Sequence, residues 1–153
     1  MSVSEHTEIE SLLAEQDHPI TILANAAAYI FSTFDRLNWA GFYLYDGSKL
    51  ILGPFCGKPA CTEIPIGSGV CGTSAKKRET IVVADVDTFE GHIACDSASR
   101  SEIVVPMIGS TGALIGVLDI DSPELDRFSN ADKIAFEHIR DIIVLRLADR
   151  LRL

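Results

Sequence analysis

The chain is predicted to adopt an α+β fold, a central and largely antiparallel sheet flanked by N- and C-terminal helices. Two observations lead there. Apolar residues recur at helical spacing near both ends of the chain and in one short internal stretch. Between them lie aromatic and β-branched runs joined directly by Gly-, Asp- and Ser-containing turns, which makes neighbouring strands antiparallel.

Residues 5–15 read as a short amphipathic helix with Ile9, Leu12 and Leu13 on one side. Pro19 suits the first turn of a second helix, whose apolar positions Ile22, Leu23, Ala26, Ile30 and Phe34 keep helical spacing. The period then changes. Residues 38–45 form an aromatic-rich strand, 46–49 a turn and 50–54 the returning strand. A Gly/Pro-rich loop is expected from Pro54 to Ala60, then a short strand over 62–65 and a helix from Val70 to about Arg78. Thr80–Ala84 is a β-branched run with strand character, and 85–101 is a long polar segment of the kind that often carries function. Residues 102–108 and 113–121 flank Gly109-Ser110-Thr111-Gly112 and read as a second hairpin. Ser129 or Asn130 can cap a last helix that runs to the C-terminus.

The 153 residues fit one domain, 1–153, with about 1–18 as a helical extension. Hydrophobic residues make up 47%, enough for a core, and a net charge of -9 argues against nucleic acid and anionic membranes as partners. No apolar run approaches a membrane span, and the N-terminus lacks the pattern of a secretory signal, so a cytoplasmic location is expected. There, four cysteines point to metal binding, catalysis or no special role rather than to structural staples. Cys95 is the most suggestive of them. It lies in a polar, Gly-broken loop, where a buried packing role is hard to build.

Five segments together resemble the free methionine-(R)-sulfoxide reductases, single-domain enzymes of the GAF fold. They are Asn38-Trp39-Ala40-Gly41-Phe42-Tyr43, Leu52-Gly53-Pro54-Phe55, Gly67-Ser68-Gly69-Val70-Cys71-Gly72, Gly91-His92-Ile93-Ala94-Cys95-Asp96 and Gly116-Val117-Leu118-Asp119-Ile120-Asp121. The resemblance covers roughly residues 25–145, and the three cysteine contexts are its most specific part. It implies thiol-dependent reduction of free L-methionine-(R)-sulfoxide to L-methionine. It makes Cys95 the nucleophile, Cys61 the resolving thiol and Cys71 an auxiliary or second recycling thiol. It also implies that Glu102, Asp119 and Asp121 bind substrate and supply protons. Cys56 inherits no role from it.

The chemistry fits these residue types. Attack by a thiolate on sulfoxide sulfur leaves a cysteine sulfenic acid, which condenses with a second thiol to an intramolecular disulfide. A reductant such as thioredoxin restores the dithiol by exchange, and no bound cofactor or metal is required. Asp119 and Asp121 are two apart in a predicted strand and so face one side. One acid can pair with the substrate ammonium, and another, kept protonated, can donate to the sulfoxide oxygen. The α-carboxylate is expected on backbone N–H groups around Ser68, Gly69, Val70 and Cys71 at the helix start. Trp39 and Tyr43 are candidate pocket walls, and His92 is a candidate base for Cys95. A homodimer is expected, because the N-terminal helices exceed what the sheet needs and similar enzymes are often dimers. Two alternatives stand beside this reading. One is a stand-alone GAF module that senses a small molecule or redox state. The other is a zinc site of Cys61, Cys71, Cys95 and His92, which lacks the close cysteine pair usual in structural zinc sites.

Overall fold

The computed structural model describes residues 3–93, 95 and 97–148. Helices α1 (Val3–Leu13) and α2 (Pro19–Thr33) lead into strands β1 (Trp39–Tyr45), β2 (Lys49–Gly57) and β3 (Glu63–Pro65). Helix α3 (Gly69–Lys77), strand β4 (Ile81–Val83) and a 3-10 turn at Val86–Thr88 follow. The hairpin β5 (Ser101–Ile108) and β6 (Leu114–Ser122) precedes helix α4 (Asn130–Leu147). The continuation of the last helix expected beyond residue 148 lies outside the described residues.

The six strands form one sheet in the order β3-β2-β1-β6-β5-β4, and every pairing is antiparallel. This is the α+β arrangement expected from the hairpin pattern. The first and last hairpins meet in the middle, where β1 pairs with β6.

Helices α1, α2 and α4 cover one face. Leu13, Ile30, Phe42, Ile103, Leu118, Phe136 and Ile139 are among its buried side chains. Phe136 sits 4.7 Å from Phe34 and 6.2 Å from Phe128 between ring centroids. Ser129 is the cap of α4, in a capping box with Asp132.

One boundary differs from expectation. The Gly/Pro-rich stretch after Leu52 continues β2 as far as Gly57 instead of forming a loop. The pairing of β1 with β2 shifts register between Gly41 and Tyr43, opposite Gly53 and Pro54. A bulge tolerates a proline because no ladder N–H is demanded of it there. Gly41 permits the close approach, since a Cβ there would fall 2.3 Å from Cβ of Phe55.

Candidate active site

The other face of the sheet is covered thinly, by α3 and by the loops around residues 58–62 and 85–100. Strand alternation sets its floor. Trp39 lies opposite Asp121, and Asp121 lies opposite Glu102, giving one cross-strand row. Gly41, Asp119 and Val104 form the next row. Their neighbours Ala40, Phe42, Leu118, Ile120 and Ile103 point to the helix-covered face. Period-2 alternation therefore puts three carboxylates on the thinly covered side.

These acids line a small, partly open pocket with a free volume of about 40 Å³, the space of a few waters. Trp39, Tyr43, Ser68, Gly69, Val70, Cys71, His92 and Cys95 complete much of its wall. Eleven of the twelve candidate site residues thus converge on one cavity, and the twelfth, Cys61, is bonded to Cys95. The S–S length is 2.00 Å and the Cα atoms lie 5.3 Å apart, across 34 residues of sequence. Cys56 is elsewhere, on β2, packed against the helix-covered core.

Burial governs the charges. Asp119 is 5% exposed, and its carboxyl is pushed well above the ordinary range, first by burial and then by Asp121. Glu102 is raised well above its ordinary value by burial and then by Asp119. The Cys71 thiol is buried and raised, by burial first and then by Asp119 and Glu102. Oδ1 of Asp119 is sealed from solvent without a hydrogen-bond partner in the protein, an acceptor suited to an incoming donor. His92 places Nε2 4.0 Å from Oε1 of Glu102, and burial lowers its pKa from 6.5.

Donor atoms of Cys71, Glu102 and Asp119 lie within 4.8 Å of one another, a spacing compatible with a metal ion. All three groups are biased toward their protonated forms, so a metal would have to displace their protons. The zinc set weighed from sequence does not assemble in this form, because Cys61 and Cys95 are bonded to each other.

Ser68 is the N-cap of α3, but its side chain makes no hydrogen bond to the helix end. Gly69 has φ +63°, and a Cβ there would lie 3.2 Å from Ile93. The loop before Cys95 therefore rests on the helix start through Ile93. Sequence reasoning missed Ala60, Ile64, Ile93 and Ser99, which also line the pocket. Ser99 accepts a hydrogen bond from Asn38 Nδ2 at 2.9 Å. These residues are small or apolar, and no local sequence signal separates them from core or loop.

A six-stranded antiparallel sheet with a lidded pocket on one face is the plan of a GAF domain, and a GAF domain matches residues 18–144. The chain is 45% identical over 126 residues to the free methionine-R-sulfoxide reductase of Escherichia coli, covering 82% of this chain and 76% of that protein. The structure of fRMsr of Staphylococcus aureus in its reduced form superposes with a TM-score of 0.91 at 51% identity, covering 95% and 94% of the two chains. The Neisseria meningitidis free methionine-R-sulfoxide reductase in complex with its substrate gives 0.89 at 43% identity, covering 95% and 91%. The chain belongs to the free methionine-R-sulfoxide reductase family.

Proposed function

We propose that this protein reduces free L-methionine-(R)-sulfoxide to L-methionine. One observation carries the reading: the Cys61–Cys95 bridge lies beside a pocket floored by Glu102, Asp119 and Asp121. Two thiols that close into a disulfide are the minimum for turnover with a disulfide-reducing partner. Relatives that carry this activity in their names, at 45% identity and above, support the same conclusion.

Cys95 attacks the sulfoxide sulfur as a thiolate. The sulfoxide oxygen leaves with Cys95 as a sulfenic acid, and methionine is released. The Cys61 thiol then attacks the Cys95 sulfur, forming the disulfide and expelling water. Thioredoxin returns both thiols by exchange. Buried acids beside a thiolate look unfavourable, yet burial biases Glu102 and Asp119 toward their protonated forms. They are then donors to the departing oxygen rather than repelling charges. An incoming ammonium offsets part of the burial cost and favours ionisation of at least one acid in the cluster. The orphan Oδ1 of Asp119 is available to it.

The first amides of α3, from Gly69 to Cys71, receive the α-carboxylate. The rings of Trp39 and Tyr43, 5.9 Å apart and stacked, wall the methyl-sulfinyl group. Selectivity for the free amino acid follows, because a residue inside a polypeptide leaves both charged-group subsites unpaired. Substrate reacts only after the bridge is reduced, because the attack needs a free Cys95 thiolate. The buried, raised thiol of Cys71 is held in reserve for recycling. We place the enzyme in the cytoplasm, as a homodimer.

NADPH oxidation coupled through thioredoxin reductase and thioredoxin tests this reading. Oxidation should depend on the (R) epimer of the free amino acid and be absent with the (S) epimer. Cys95→Ser should abolish it, and full turnover by that variant would overturn the assignment of the nucleophile.

A further inference from the structure

Trp39 and Tyr43 present rings to the pocket, but their polar atoms are used elsewhere. The Tyr43 hydroxyl donates to the carbonyl of Cys61 at 2.8 Å. The Trp39 indole N–H donates to the carbonyl of Lys58 at 3.1 Å. A third tie, Leu52 N–H to the carbonyl of Thr62 at 3.0 Å, closes the far end of the same irregular segment. Residues 58–62 therefore hang from three carbonyls, two of them held by side chains of one strand.

That strand is the rigid part. β1 is paired on both edges, with β2 and with β6. Trp39 is further fixed by stacking on Phe55 at 5.2 Å. On the other side of the bridge, the backbone N–H of Cys95 makes a local tie, donating to the carbonyl of Ile93 at 3.1 Å. One sulfur of the bridge is anchored to the sheet, and the other rides on a long loop.

We propose that Tyr43, with Trp39, is a positioning residue for the resolving step: its hydroxyl holds the Cys61 backbone so that the thiol meets the Cys95 sulfenic acid. This rests on the resolving role given to Cys61 above. The phenol suits the task because burial keeps it protonated, and so a donor, at any working pH. Fixing one partner beforehand lowers the entropic barrier to forming the S–S bond.

The test follows closure without using the sulfoxide. Fully reduced protein is oxidised with hydrogen peroxide in the presence of dimedone, which traps sulfenic acid. Mass spectrometry gives the ratio of dimedone-labelled Cys95 to Cys61–Cys95 disulfide. In Tyr43→Phe, which keeps the ring and loses the hydroxyl, that ratio should rise roughly three- to tenfold, the rate equivalent of one neutral hydrogen bond. Trp39→Phe, which releases the Lys58 end of the segment, should raise it in the same direction and serves if the first variant folds poorly. A ratio equal to that of the parent in both variants would overturn the proposal, as would a raised KM for sulfoxide with closure unchanged. The peroxide reaction also separates the two ideas. Failure of the parent protein to reduce the sulfoxide would remove the proposed substrate and leave the closure ratio readable.

Discussion

On β6, Leu118 and Ile120 are buried under three helices, while Asp119 and Asp121 are buried under a thin cover of loops and α3. The same alternation divides β1 into Ala40 and Phe42 on one side and Trp39 and Tyr43 on the other. The helix-covered face is largely apolar, with buried Ser101 and Ser122 satisfied at the Glu124 backbone, and its packing partners are long, regular elements. The pocket face mixes an apolar floor with acids and a thiol that burial forces toward their neutral forms. A single sheet thus keeps its stability on one side and its chemistry on the other. Substitutions on the two faces should then separate stability from activity, with opposite signs.

Asp119→Asn should show the largest separation. Removing the proton donor proposed above should lower kcat/KM for the free (R)-sulfoxide by roughly 10²–10⁴-fold. Stability should move the other way. In the unfolded chain the carboxyl titrates near 3.8, and in the folded protein it keeps its proton to higher pH. Between those limits the unfolded chain binds fewer protons, so folding stability falls as pH rises. Asparagine resembles the protonated acid and escapes that loss. Urea midpoints of variant and parent should therefore coincide near pH 4 and diverge in the variant's favour toward pH 8. A variant less stable than the parent at pH 8 would show that the acid is paired as an anion.

Phe136→Ala probes the opposite face. The ring is fully buried against Phe34 and Phe128. Its removal should cost about 3–5 kcal/mol, read from chemical denaturation of the reduced protein. The KM for sulfoxide of the molecules that remain folded should match the parent, because no atom of the pocket changes. A raised KM at full folding would mean that the faces are mechanically coupled through the sheet.

The helix-covered face was the easier half to read from the sequence. Helical spacing around Ile22–Ile30 and 134–147, and the change to aromatic and β-branched runs, report burial directly, because most side chains on that face are there to exclude water. The pocket face follows another logic. Two aspartates at spacing two could be placed on one side of a strand, but nothing local said that this side was buried. That depended on α3 and the segment around Cys95 folding over it. The register Trp39–Asp121–Glu102, which brings residues 82 positions apart into contact distance, is a property of sheet order. The three cysteine contexts were legible through resemblance, whereas Ile93 and Ser99 were not, since their roles are contacts rather than chemistry. Pro54 misled because a proline usually ends a strand, and the bulge opposite it was invisible until β1 and β2 were paired.

The smallest effect sharpens the contrast at its simplest point. Ser129 accepts from the N–H of Asp132 at the start of α4, and Asp132 answers at the N–H of Ser129 with 2.8 Å. Ser129→Ala removes one side of that box. The N–H of Asp132 loses its partner, and the helix should lose about 1 kcal/mol. Because α4 touches the sheet only on the face away from the pocket, sulfoxide turnover at 25 °C should be unchanged while the thermal midpoint falls by a few degrees. A change in turnover without a change in midpoint would contradict the division of labour between the faces, since the cap reaches the pocket only through the stability of the helix.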